Sequence, residues 1–175
     1  MDRALFRWIH GLRSPALDPI AGWLSRWGYW IPPVFFLGIF LWRRRAGAVS
    51  ARDGLLAWFL SVMVAEEWVK PLVKRARPPH DDALRGLVHV LGETPRRGSL
   101  SFPSGSAAAL FAGATVAWLV LGRRAGLCAM GLAALVALSR VYAGVHYPGD
   151  LLGGALIGCA VTVGVWRFSR WAGPG

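Results

Sequence analysis

The residues able to do chemistry fall in three short stretches of a 175-residue chain. The densest is SRVYAGVHYPGD, residues 139–150. His146 stands just before a helix start marked by Tyr147–Pro148, and Asp150 follows four residues later. An Asp at that spacing can reach back to the imidazole. Holding one ring nitrogen fixes the tautomer and leaves the other free to attack or to take a proton. A capping Asp beside a hydrogen-bonded His has the same spacing. Arg140 ends an apolar run, where a charge is costly unless paired or functional. The second stretch, KPLVKRARPP, sets Lys70 and Arg77 seven residues apart. That is about two helical turns and predicts a shared helix face, which Pro78 and Pro79 then end. Two basic side chains snorkelling at a membrane edge would suffice for this stretch alone. The third, SFPSGSAAAL, residues 101–110, opens an apolar run with small polar groups. Ser101, Ser104 or Ser106 can cap that helix, and Gly105 lets its backbone approach a ligand.

Together the three stretches point to phosphate. The first turn of a helix offers unpaired N–H groups and a positive dipole end, a ready anion site. Lys70, Arg77 and Arg140 can neutralise a phosphate, the arginines through paired N–H donors. His146 can then accept the phosphoryl group and release it to water. No metal cluster is expected: paired-carboxylate and His-rich spacings are missing, and the basic residues supply charge a metal would otherwise bring. Glu66 is four residues before Lys70, so an ion pair within one helix is its expected role.

The elements that must carry these residues are membrane helices. The chain is 55% hydrophobic with ten Trp, and its mean hydropathy is +0.44. Trp is favoured where an apolar body meets the headgroup layer. Spans of about 20 apolar residues are expected near 27–42, 54–72, 104–121, 126–145 and 149–167, giving an all-α polytopic membrane bundle. One long polar loop, about 78–103, includes Asp81, Asp82, Glu93, Pro95, Arg96 and Arg97. Residues 1–26 form a separate segment before the 27–170 body. Within it, Leu5, Trp8, Ile9 and Leu12 repeat at helical spacing, which suits an amphipathic helix lying on the membrane or packed on the bundle. Arg3, Arg7, Arg13 and Arg26 interrupt the segment and argue against a cleavable signal. Gly149, Gly153, Gly154 and Gly158 suggest close helix packing. Cys128 and Cys159 have no zinc or disulfide spacing and read as buried thiols.

The net charge is +11. Its basic residues punctuate apolar spans instead of forming a soluble basic face, which excludes nucleic acid as a partner. Arg43, Arg44, Arg45, Arg52, Arg123, Arg124, Arg167 and Arg170 fall on one side of a five-span bundle, and the positive-inside rule makes it cytoplasmic. The three chemical stretches then face outward.

These motifs resemble the type 2 phosphatidic acid phosphatase family, which includes the vanadium haloperoxidases and glucose-6-phosphatase. Its signature reads K-x6-R-P, P-S-G-H and S-R-x5-H-x3-D. Here it appears as Lys70…Arg77–Pro78, Pro103–Ser104–Gly105–Ser106 and Ser139–Arg140…His146…Asp150. The resemblance implies a cofactor-free, metal-independent enzyme acting on lipid phosphates at the extracytoplasmic side of the cell membrane. It implies His146 as nucleophile, Asp150 as its orienting partner, and Lys70, Arg77, Ser104, Gly105 and Arg140 as the phosphate site. The implied substrates are a polyprenyl diphosphate, phosphatidylglycerol phosphate, phosphatidic acid or a lipid A phosphate. One position departs. The family's His, the acid that protonates the leaving alcohol, is Ser106 here, and a serine hydroxyl is too weak an acid. General acid assistance is worth about 10²–10⁴-fold, so turnover is expected to be impaired. The departure fits a substitution that slows turnover, a diphosphate substrate with a better leaving group, or a protein that binds or transports lipid phosphates. A phosphotransferase using an acceptor other than water is a further alternative, and His80 or His89 is a conceivable substitute acid.

Overall fold

A computed structural model describes residues 1–92 and 94–173. Glu93 lies outside the described residues, and so do the side chains of residues 39–40 and 42–50, among them Arg43, Arg44 and Arg45. The described chain is helical. In order come α1 (Asp2–His10), α2 (Asp18–Trp27), α3 (Ile31–Met63), a π turn (Val64–Val69), α4 (Lys70–Val73), α5 (Gly105–Leu121), α6 (Arg123–Tyr142) and α7 (Pro148–Trp171). An isolated antiparallel bridge joins Ala76 to Leu100.

The first expected span lies largely in α3, and the second begins in the same helix and runs through the π turn into α4; α3 is not straight. At 1.5 Å per residue its 33 residues would reach about 50 Å. Yet the Phe36 ring lies so close to Gly54 that a Cβ there would come within 2.8 Å of it. Tyr29 and Trp58 also stack with ring centroids 5.3 Å apart. The chain therefore reverses between Phe36 and Gly54, and two apolar legs run side by side.

Helix α5 is the centre of the bundle and packs against α3, α6 and α7. Its run of Ala and Gly is buried from Ala107 to Ala117 except at Phe111, because small side chains let three neighbours approach. The glycine spacing in α7 serves this approach: a Cβ at Gly154 or Gly158 would lie 2.3 Å from the carbonyl oxygen of Ser104 or Ala108. Helices α6 and α7 are long and apolar enough to cross a bilayer, and the 17-residue α5 is apolar but shorter. Leu127, Leu132, Leu135, Leu138, Leu152 and Leu156 face outward from α6 and α7, as expected of a bundle whose solvent is lipid. Cys128 is exposed on α6, not buried, because it shares this outward side; Cys159 is half-buried.

The N-terminal segment folds over one end of the bundle. Phe6 and His10 on α1 are buried, with Ile9 partly buried beside them, while Leu5, Trp8 and Leu12 point outward. The two expectations for this stripe thus describe opposite sides of one helix: one side docks on protein and the other is left exposed. Phe6 meets Tyr147 at 5.5 Å between ring centroids, and Arg3 pairs with Asp81 at 2.8 Å.

Candidate functional site

That covered end gathers the start of α5, the α6–α7 connection and the segment after α4. The Ser104 N–H donates to the Asp150 carbonyl (2.9 Å), and the Ser101 N–H donates to that of Arg75 (2.8 Å). Three distant stretches are thereby tied through main chain.

His146 is 1% exposed. Its Nδ1 lies 3.3 Å from Asp150 Oδ2. A carboxylate can only accept there, so Nδ1 carries the proton and Nε2 presents a lone pair. That lone pair faces Arg77 Nη1 at 3.1 Å. Burial pushes the imidazole down to about 3, with Arg140 and Arg77 adding to the effect and Asp150 opposing it. The ring is neutral near pH 7, the form a nucleophile requires.

Asp150 is fully buried and densely bonded. Its Oδ2 accepts from Ser101 Oγ (2.5 Å), from the Tyr147 N–H (2.8 Å) and from His146. Its Oδ1 accepts from Arg75 Nη1 at 3.0 Å. Capping and orienting are therefore one arrangement, since the same carboxylate does both. Arg75 also pairs with Asp2 at 2.7 Å and lies 3.8 Å over the Tyr147 ring. Sequence reasoning passed over Arg75 and Asp2, and it offered Ser101 only as a cap. A buried carboxylate demands a cation, but nothing in the spacing singles out Arg75 from its basic neighbours.

The cation side differs from expectation in one respect. Lys70 and Arg77 do not share a helix face. Helix α4 ends at Val73, and Lys74 adopts a left-handed conformation with φ of 51°, so the helix stops well before the prolines. The extended chain then carries Arg77 across to His146, where its Nη1 also donates to the Val145 carbonyl at 3.2 Å. Burial lowers the Arg77 pKa, opposed by Glu66 and Asp150. Arg140 donates from Nη1 to the Ser25 carbonyl on α2. The Nε atoms of Arg77 and Arg140 are buried without a partner. Both arginines line a cavity of about 700 Å³, together with Ser99, Val145, Trp23 and Trp27.

Lys70 is buried, and its ammonium contacts both carboxylate oxygens of Glu66, the ion pair expected from spacing. Glu66 lies against Gly105, so close that a Cβ there would overlap its carboxylate. Ser104, among the three candidate serines, caps α5 by accepting from the Ala107 N–H at 3.3 Å. Ser106 is half-buried in the first turn of that helix. The charge of Glu66 acts on Lys70, Arg77 and Arg140 together. His80 and His89 lie elsewhere: His80 beside Arg3, Asp81 and Tyr147, and His89 beside His10 and Arg13. Among the described residues, no three His, Cys, Asp or Glu gather as metal ligands would.

The chain is similar to known proteins. The chain is 36% identical over 120 residues to decaprenylphosphoryl-5-phosphoribose phosphatase of Mycobacterium tuberculosis, covering 68% of this chain and 59% of that protein. It therefore spans less than two thirds of that relative's length. It is 29% identical to lipid A 4'-phosphatase of Bacteroides thetaiotaomicron, covering 96% of this chain and 75% of that one. The crystal structure of Aquifex aeolicus LpxE superposes with a TM-score of 0.76 at 29% identity, covering 95% of this chain and 94% of that one. A family profile described as PAP2 superfamily matches residues 53–174, the stretch that holds all three chemical motifs, and the chain belongs to that superfamily.

Proposed function

We propose that the chain hydrolyses the phosphate ester of a membrane lipid through a phosphohistidine. One observation carries this reading: a neutral His146, fixed by Asp150, presents Nε2 to Arg77, and the half-buried Arg77 and Arg140 each keep a buried Nε donor without a partner. In the proposed reaction a lipid phosphate enters the cavity beside Arg77 and Arg140, and Arg77 exchanges its bond to Nε2 for phosphate oxygens. Lys70 and the N-terminus of α5, capped by Ser104 and opened by Gly105, hold the remaining charge. Nε2 attacks phosphorus, the P–O bond to the lipid alcohol breaks, and Asp150 balances the imidazolium. Water then attacks the phosphohistidine and inorganic phosphate leaves.

The relatives' names support a polyprenyl-linked or lipid A-type phosphate as substrate class; phosphatidylglycerol phosphate and phosphatidic acid are the glycerophospholipid alternatives. The arginine distribution supports a site on the extracytoplasmic side of the cell membrane. Residues 27–170 form the catalytic body, with residues 1–26 folded over its site end.

The test is phosphate release from lipid phosphates in detergent, compared with His146→Ala. The variant should lose all turnover, and the parent should form an acid-labile, base-stable phosphoenzyme. Release from His146→Ala near the parent level removes His146 as nucleophile. Ser106 favours a second reading, a protein that binds lipid phosphate silently; saturable binding without release would replace the first reading with it. Release that appears only with an added alcohol acceptor would make the chain a phosphotransferase.

A further inference from the structure

A leaving alkoxide needs a proton, and Ser106 cannot supply it. We infer that Glu66, held against Gly105 beside Ser106, is the general acid of this chain. The inference rests on the hydrolase reading above.

The candidates narrow by geometry. Asp150 is saturated by Ser101, Tyr147, His146 and Arg75. His146 is the nucleophile. His80 and His89 sit in other pockets, beside Asp81 and beside His10. Glu66 differs from them, because its charge acts on Lys70, Arg77 and Arg140 together. It stands in the π turn between α3 and α4, and its carboxylate reaches the first residue of α5, one position before Ser106. Only glycine at 105 leaves room for it. The ion pair with Lys70 is lopsided: the lysine side chain is 7% exposed and the glutamate 38%. Here the cation is enclosed and the carboxylate is open to an incoming group.

The proton balance closes without another reactant. The second pKa of a phosphate ester is about 6, so the monoanion, with one proton, is available near neutrality. As its oxygens take over Lys70, the Glu66 carboxylate is released from that cation and stands free to accept a proton. Glu66 thus receives the ester's proton. When His146 Nε2 bonds to phosphorus and the P–O bond breaks, Glu66 passes that proton to the departing oxygen. In the second step water attacks the phosphohistidine and its protons stay on the released phosphate, a step common to every ester, and the carboxylate pairs again with Lys70.

The test uses the full chain in detergent with two probes, dioctanoyl phosphatidic acid (an alkyl leaving group) and p-nitrophenyl phosphate (a leaving group that needs no acid). Glu66→Gln should lower kcat about 100-fold on the alkyl ester and less than about 5-fold on the aryl ester. Ser106→His alone should raise alkyl turnover less than about 10-fold, because an acid is already present, yet in the Glu66→Gln background it should restore turnover to within about 10-fold of the parent. Equal losses on both esters, a change in KM alone, or failure of rescue overturns the proposal and leaves Glu66 a support for Lys70. A parent inert on the alkyl ester but activated by Ser106→His also overturns it, with the hydrolase reading intact. A chain inert on both probes in both forms overturns the hydrolase reading itself.

Discussion

The two sides of His146 are built on opposite principles. On the Nδ1 side every polar group is satisfied: Asp150 accepts four hydrogen bonds, and Arg75 is shared between Asp150, Asp2 and the face of Tyr147. On the Nε2 side two half-buried arginines keep buried, unpartnered Nε donors beside a cavity. The first side is complete when the chain folds. The second holds like charges near each other with hydrogen bonds unmade, a state that costs stability and is relieved by an anion. One imidazole is thus clamped from behind by structure and faced in front by stored electrostatic demand.

The contrast predicts different stability signs. Asp150→Asn should cut phosphate release about 10⁴-fold, by analogy with loss of the orienting carboxylate in a catalytic triad, and should lower the thermal midpoint in detergent. An amide cannot accept all four bonds, and Arg75 would lose its buried countercharge. Arg140→Met should cut release about 10³-fold, as for loss of a charge-stabilising donor, yet raise the thermal midpoint, because a desolvated cation is removed from beside Arg77. If both substitutions shift the midpoint the same way, the two sides are not built differently.

The smallest effect is in pH. His146 is pushed down to about 3 in the folded protein, whereas a free imidazole titrates near 6.5. Between these values the unfolded chain binds the extra proton, so stability rises with pH. The contribution is fully present above about 6.5 and is lost as pH falls toward about 3. Thermal midpoints measured across that window should fall more steeply for the parent than for His146→Gln. Parallel curves would mean the ring is not held neutral by burial.

The sequence was most legible where chemistry and spacing coincide. His146 and Asp150 meet because four residues across a helix start is a short-range geometry. Glu66 and Lys70 pair for the same reason. The Lys70–Arg77 spacing misled because it assumed a helix continuing to the prolines, and the left-handed Lys74 ends it first. Arg75 was hidden for a different reason. Its partners Asp2 and Asp150 lie 73 and 75 residues away in either direction, and no local period encodes such a pairing. The N-terminal stripe was legible as amphipathic, but which side docks depended on Tyr147 and Asp81 receiving it.

What the sequence determined by itself is the helical membrane class and the residue types proposed to meet phosphate, while only the family resemblance marks Ser106 as a departure. The class and the residue types follow from hydropathy, local spacing and side-chain chemistry, all short-range properties. Only the tertiary structure decided that Asp150 is locked by Arg75 and Ser101, that two arginines are left with unmade bonds, and that Glu66 fills the space beside Gly105. Those outcomes depend on which distant backbones approach closely enough to bury a charge, and burial is a property of the whole packed bundle.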